Sequence, residues 1–333
     1  MSAPTLTREQ LLEMASTFRP SCLLGAAAEL NLFAALGRDA LSVEQLAGKL
    51  RGDVRATRML ADACAALGLL QKQPGGSYSV PPDLRPLVTD GPKSILPMVL
   101  HSMNILRSWA RLAWIVRSGK PPEREPSLRG ADADRAAFIA AMHSISGPLA
   151  DELVARLGPP RFKHLLDVGG ASGTWTLAFL CAVPGSTATL FDLPDAIAQA
   201  RQRLAGGEFA SRVTLQAGDF YSDPLPPGAD YAWVSAIIHQ HSREHSRELF
   251  RKVYQALQPG GRIAIRDVVM QPDHTRPVFG ALFAINMLVN TESGGTFTLE
   301  EIADDLRQAG FIDPRLAIQA DDMTSVVEAT KPA

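Results

Sequence analysis

No apolar run in this 333-residue chain reaches the roughly 20 residues that span a bilayer, so no membrane segment is expected. Met1–Gln10 also lacks the apolar core of an export signal. Cysteine is scarce: Cys22, Cys64 and Cys181 form an odd, scattered set whose spacing matches no metal motif. Buried thiols in a reducing cytosol are expected, with no metal and a cytoplasmic location. A surplus of one charge is missing too: Lys and Arg number 33 against 35 Asp and Glu. The net charge of -2 gives no general attraction to nucleic acid. Internal repeats and low-complexity tracts are absent as well. What remains is 46% hydrophobic and 20% charged, a globular composition long enough for two domains.

The chain is organised around His164–Trp175. Leu165, Leu166 and Val168 make a short apolar run, Gly169-Gly170 and Gly173 break it, and periodic apolar residues resume at Leu177 and Leu180. That is a buried strand, a glycine turn and a helix start, the opening of a Rossmann-like sheet. A second run, Thr187–Leu190, ends in Asp192-Leu193 about twenty residues on, where an acid can accept ribose hydroxyls. The third, Val213–Ala217, ends in Gly218-Asp219-Phe220, an acid and a ring suited to an adenine amine and its face. The fourth, Tyr231–Ile238, ends in His239, and the fifth, Arg262–Ile265, is followed by Arg266-Asp267. Five strands delivering polar residues at their carboxyl ends outline the crevice of an open α/β sheet. Ile312–Ile318 and Ser325–Thr330 complete the sheet as its last two strands.

Asp167-Val-Gly-Gly-Ala-Ser-Gly173, Phe191-Asp-Leu-Pro194, Gly218-Asp-Phe220, His239 and Pro259-Gly-Gly261 together resemble class I S-adenosylmethionine-dependent methyltransferases. More narrowly, the chain resembles the caffeate/acetylserotonin-type small-molecule O-methyltransferases, over nearly its whole length. The resemblance implies a mostly parallel methyltransferase sheet with an antiparallel last strand, preceded by a mainly helical, winged-helix-like dimerisation domain. The implied cofactor is S-adenosyl-L-methionine, with S-adenosyl-L-homocysteine as product. Asp167, Gly169, Gly170, Gly173, Asp192, Leu193, Gly218, Asp219, Phe220 and Ser235 are its expected contacts.

The amino-terminal half fits the same pattern. Leu11–Phe33 reads as helix, Ser42-Val-Glu-Gln45 as a capping box, and Asp53 as the cap of a helix through Leu70. Pro74-Gly75-Gly76 then turns a small hairpin. Helix, helix and hairpin form a winged-helix pattern, so a DNA-binding regulator has to be weighed. Arg51, Arg55 and Arg58 do not make the region strongly basic, and the resembled family uses this module to pair two chains. A homodimer is therefore expected, without nucleic acid. The expected division is residues 1–92 for dimerisation, 93–157 for linking helices and 158–333 for the catalytic domain. Ile95–Val116 and Phe138–Leu157 are the linking helices, and in the family they roof the acceptor pocket. Met103, Trp109 and Trp114 are equally explained by core packing, whereas Phe138, Met142 and His143 are candidate pocket walls.

If the methyl acceptor is a hydroxyl, a base must take its proton, and histidine is suited to that near neutral pH. His239 matches the family's catalytic histidine, and Asp267 an acid that orients its ring. Four departures stand out. Gln240 and His241 stand where relatives commonly carry Asp and Trp, and Ser235 where many carry Lys. An ungapped alignment on Asn286-Met-Leu-Val-Asn290 puts Thr296 where a second acid is usual, with Glu292 nearby. Gln240, His241, Met287, Asn290 and Thr291 are expected at the acceptor pocket. The reading is methyl transfer to a small molecule, most directly at oxygen. The alternatives are a sulfur, nitrogen or carbon acceptor, of which a thioether needs no base, and a cofactor-binding enzyme that transfers no methyl.

Overall fold

A computed structural model describes residues 5–91, 93–121, 123–158 and 160–333, without the side chains of 143–146 and 148. The chain divides into two compact units, Met1–Ala110 with Glu123–Ser144, and Arg111–Pro122 with Ile145–Ala333. The long helix Ala131–Arg156 contributes to both.

The first unit is helical. The single helix expected over Leu11–Phe33 is three, Arg8–Met14, Phe18–Glu29 and Leu32–Leu36. Ser16 and Thr17 donate their hydroxyls to the carbonyls of Glu13 and Met14, a local alternative to helical pairing that accompanies the first break. Asn31 makes the second in the left-handed region at φ 55°. The capping box at Ser42-Gln45 and the Asp53 cap are present, and the capped helix ends at Ala66. A two-stranded hairpin, Gln71–Lys72 with Tyr78–Ser79, follows. Its buried Tyr78 donates to Asp62, which also accepts from Lys72. Leu32, Phe33, Leu36, Leu46 and Cys64 pack around that ring. The helix expected over Ile95–Val116 is also broken, into Leu96–Trp109 and Leu112–Ser118, the latter part of the second unit. Met103 fills the space beside Gly25, where a Cβ would lie 2.1 Å from its sulfur, so it is a packing residue between two helices. Trp114, by contrast, is exposed.

The second unit is built on a seven-stranded sheet. Its strands are β1 (His164–Val168), β2 (Thr187–Asp192), β3 (Val213–Ala217), β4 (Ala229–Ser235), β5 (Leu257–Asp267), β6 (Ile312–Ile318) and β7 (Ser325–Thr330). The spatial order is β6-β7-β5-β4-β1-β2-β3, and β7 alone runs against its neighbours. Helices α1 (Thr174–Ala182), α2 (Pro194–Leu204), α3 (Arg243–Ala256), α4 (Val278–Asn290) and α5 (Leu299–Gln308) accompany it. Alternating strand residues feed two cores. Leu166, Val168, Val234, Ile263 and Ile265 pack with Leu249 and Phe250 of α3 and Leu306 of α5. Leu165, Tyr231, Trp233 and Ala264 pack on Trp175 and Phe179 of α1 and on Leu153 and Val154. The strand order reverses at β1, so a crevice opens above its carboxyl end. Among the described residues, no helix is long and apolar enough to cross a membrane.

Candidate active site

The turn after β1 is shaped by close approach. Gly169 has φ +67°, a conformation that L side chains rarely adopt, and a Cβ there would lie 2.6 Å from Ile237 Cδ1, so that a substitution is strained and Ile237 would have to move. Gly170 packs on Leu190 and Asp167, and Gly173 begins α1. Ala171 adopts φ 47° without being glycine, a strained conformation for an L-residue. The Asp192 carboxylate holds it there, accepting the Ala171 N–H at 2.7 Å and the Leu193 N–H at 2.7 Å. Burial raises the Asp192 carboxyl above its ordinary value, and those two amide donors oppose the rise. Asp167 lies below the loop, 1% exposed. Its Oδ2 accepts from the Thr176 hydroxyl at 2.5 Å, and its buried Oδ1 has no hydrogen-bond partner among the described residues. Burial pushes this carboxyl up to about 7, and the field of Asp192 adds to the shift.

The next strand ends lie alongside. Gly218 rests against the Phe191 ring. Asp219 accepts the Tyr221 N–H at 2.9 Å, and Phe220 reaches within 4.0 Å of the Cβ position of Gly169. Leu193 is exposed. His241 and Tyr221 are hydrogen-bonded through the phenol oxygen, their rings edge to face at 4.8 Å, with Phe220 and His245 beside them. Burial, helped by His245, pulls the His241 imidazole down to about 4, so it is neutral at physiological pH.

His239 does not sit at a strand end. The fourth strand stops at Ser235, three residues short of the sequence expectation, because Ala236 turns the chain at φ 57° and Ile238–Gln240 forms a 3-10 turn. His239 is 6% exposed and Asp267, the last residue of β5, 2%. His239 Nδ1 lies 3.0 and 2.9 Å from the two Asp267 oxygens. Asp267 is itself fixed by the Val268 N–H at 2.8 Å. A carboxylate on Nδ1 sets the tautomer with the proton there, leaving Nε2 as the basic nitrogen. Phe283 of α4 stands edge to face with the imidazole at 4.9 Å, and Phe279 stacks on Phe283 at 5.8 Å. The loop after α4 closes the other side. Gly295 donates its N–H to the His239 carbonyl at 2.9 Å, and a Cβ on Gly294 would come within 2.4 Å of that oxygen.

Thr296 is buried and directs its hydroxyl to the Gly280 carbonyl at 3.4 Å, while Glu292 is exposed. Among the described residues, Asp267 is thus the single carboxylate bonded to His239. Met287 is buried, and the Thr291 hydroxyl donates to its carbonyl and accepts the Gly294 N–H. Asn290 is bonded to Asn286 within α4. Gln240 is exposed and donates to the Ala236 carbonyl. Ser235 accepts from Arg266 at 2.7 Å. Phe138, half-exposed beside His101, and Met142 belong to the first unit, and the side chain of His143 lies outside the described residues. Sequence reasoning missed Phe279, Phe283 and Gly294. The Phe-x-x-x-Phe spacing on one helix face was the available signal for the first two.

These features fit a nucleoside-bearing cofactor: a side-chain-free cradle at Gly169, acids at two adjacent strand ends and an orphaned buried oxygen at Asp167. Among the described residues, no group of three or more His, Cys, Asp or Glu is arranged to hold a metal ion. The family model of the O-methyltransferase domain matches residues 127–312, and that of the O-methyltransferase dimerisation domain residues 12–82. The tetracenomycin polyketide synthesis 8-O-methyl transferase of Streptomyces glaucescens is 30% identical, covering 92% of this chain and 91% of that protein. The 3-hydroxy-5-methyl-1-naphthoate 3-O-methyltransferase of Streptomyces sahachiroi is 31% identical, covering 94% and 90%. The crystal structure of human N-acetylserotonin methyltransferase in complex with S-adenosylmethionine superposes with a TM-score of 0.78 at 26% identity, over 100% of each chain. The chain belongs to the S-adenosylmethionine-dependent O-methyltransferase family.

Proposed function

We propose that this enzyme methylates a hydroxyl on a small, planar aromatic molecule, with His239 as the general base and Asp267 as its orienting acid. The single observation carrying this reading is the buried His239–Asp267 pair, whose imidazole stands edge to face with the Phe283 ring. A carboxylate and imidazole kept this dry serve little purpose for an acceptor that has no proton to lose. When bound, the cofactor supplies an electrophilic methyl on a cationic sulfonium. Asp192 is positioned for the ribose hydroxyls, Asp219 and Phe220 for the adenine, and Gly169–Gly173 for the backbone-lined cradle. The chain's own work is then threefold. Phe279 and Phe283 give a flat apolar wall on which an aromatic ring can stack, worth about 0.5–1.5 kcal/mol per ring pair beyond burial. Holding the acceptor oxygen aligned can contribute roughly 7–11 kcal/mol in favourable cases. His239 Nε2 takes the hydroxyl proton as the new carbon–oxygen bond forms, a contribution typically of about 10²–10⁴ in rate.

The 3-hydroxy-5-methyl-1-naphthoate named for the Streptomyces sahachiroi relative is a hydroxylated aromatic, and both Streptomyces relatives are named as O-methylating enzymes, which agrees with this class. Incubation with methyl-labelled cofactor and a panel of phenols, naphthols, anilines and thioethers, read by mass spectrometry, tests the reading. Label appearing on phenolic or naphtholic oxygen supports it, and label confined to nitrogen or sulfur overturns it.

The first unit is proposed to pair two copies of the chain. Its first helix, Arg8–Met14, buries none of its own residues, and Leu11, Leu12, Met14 and Phe18 are all at least half exposed. An apolar strip of that kind calls for a covering surface, and the dimerisation-domain match, residues 12–82, includes Leu12, Met14 and Phe18. Sedimentation should give a dimer, and Leu11→Asp with Phe18→Asp should shift it toward monomer. A wild-type monomer at micromolar concentration contradicts this.

A further inference from the structure

Behind the catalytic pair, on the opposite face of β5 from Asp267, Arg266 is only 4% exposed. Its direct partners among the described residues are neutral. Nε donates to Ser235 Oγ at 2.7 Å, Nη1 to the Met323 carbonyl at 3.1 Å, and the guanidinium lies 4.8 Å over the Trp175 ring. Burial pulls its pKa down to about 10, opposed by the fields of Asp267 and Asp322, so it remains a cation at physiological pH. A buried cation bonded only to neutral groups is a costly feature that an apolar side chain of similar volume would remove.

Its place in the fold accounts for that cost. Arg266 is in register with Ser235 on β4 and Val326 on β7. Its carbonyl accepts the Ala236 N–H at 2.8 Å, at the left-handed corner where the chain leaves β4 for His239. One residue thus grips the corner leading to the histidine with its main chain and the end of β4 with its side chain. Its next neighbour in sequence is Asp267. The groups facing His239 are Asp267 from β5, the uncharged Phe283 from α4 and the Gly295 amide from the following loop. Behind them, Asp267 and Asp322 are the carboxylates whose fields act on Arg266.

We propose that Arg266 is a positioning residue for the reaction: it fixes the Ser235–Ala236 corner so that His239 meets Asp267, and its positive charge stands next to that pair. This rests on the general-base reading given above. A neighbouring cation disfavours a further positive charge, so loss of Arg266 is expected to move the acid limb of turnover to higher pH.

Arg266→Met and Arg266→Lys separate charge from geometry. Turnover at saturating cofactor would be followed across pH, with S-adenosylhomocysteine affinity measured by calorimetry on the same preparations. Arg266→Met should lose up to about 10²-fold in kcat, the scale of a small misplacement, with the acid limb displaced upward and affinity changed less than about twofold. Arg266→Lys should leave the limb where the wild type has it and lose less turnover. Should Arg266→Met fail to fold, Arg266→Lys carries the test, because full wild-type kcat in that variant overturns the positioning role. Wild-type turnover and limb in Arg266→Met, or a loss confined to S-adenosylhomocysteine affinity, likewise overturns it. If His239→Ala itself keeps its activity, the base reading has failed instead, a result these variants cannot mimic.

Discussion

The two ends of the crevice are built differently. At the glycine turn, backbone constraint does the shaping: Gly169 adopts φ +67°, which strains any other residue, and main-chain amides of Ala171 and Leu193 hold the Asp192 carboxylate. At the histidine, side chains and loops from separate segments converge. His239 comes from a 3-10 turn after β4, Asp267 from the end of β5, Phe283 from α4 and Gly295 from the loop beyond. The first end depends on what a few consecutive residues can adopt, the second on whether distant elements meet. The cofactor end should therefore answer to mutation mainly in affinity, and the histidine end mainly in turnover.

The largest expected separation is His239→Ala, which should lower kcat by about 10²–10⁴ while S-adenosylhomocysteine affinity by calorimetry stays near that of the wild type. Asp267→Asn should lose less, since the imidazole remains but its tautomer and orientation are less well fixed. Asp192→Ala should do the reverse. It should weaken cofactor binding by roughly 1–3 kcal/mol, the scale of leaving polar groups unpaired, and preserve kcat within a few-fold once the cofactor is saturating. If Asp192→Ala and His239→Ala both move affinity and turnover equally, the division between the two ends is broken.

Gly294→Ala sharpens the comparison at smaller scale. Its Cβ would stand 2.4 Å from the His239 carbonyl oxygen, so the loop must shift. A loss of roughly tenfold in kcat is expected, within what small misplacements cost, with cofactor affinity unaffected. The smallest effect concerns stability at the cofactor end. Asp167 titrates at about 7 when folded, against an ordinary 3.8. The folded chain therefore holds a proton that the unfolded chain releases in between, and stability declines as pH rises from about 4 to 7. Asp167→Asn should flatten that decline and raise the melting temperature of cofactor-free protein at pH 8 by roughly 2–4 °C per kcal/mol recovered. A lower melting temperature for the variant at pH 8 would contradict the assignment.

This contrast also explains what could be read from the sequence. Both carboxyl-terminal strands begin and end where the pattern puts them, and the first three fall where apolar runs stop at polar residues, whereas the fourth stops early at Ser235 and the fifth is longer than its apolar run, over Leu257–Asp267. Asp192 and Asp219 lie at strand ends because a strand must stop for its acid to leave the sheet. The helix breaks at Ser16-Thr17, Asn31 and Ala110 were invisible, since apolar periodicity runs through them and local hydrogen bonding decides. Phe283 and Gly294 were missed for a similar reason: each matters through a contact with His239 more than forty residues away in the chain. Thr296 illustrates the opposite case. The alignment identified the missing acid, but only the fold reveals its hydroxyl turned to the Gly280 carbonyl and Glu292 left exposed.

The most direct test of the central claim is kcat against pH at saturating cofactor, for wild type and His239→Ala, with a hydroxyl acceptor. His241, pulled down to about 4, does not titrate across roughly pH 6–9, a window that brackets an ordinary histidine, so it adds no limb of its own. The account predicts that wild-type turnover falls on the acid side as His239 takes a proton, and that His239→Ala is slower by about 10²–10⁴ with that limb gone. Retention of most of the turnover by His239→Ala across the same range would contradict it, and would point to an acceptor that needs no deprotonation.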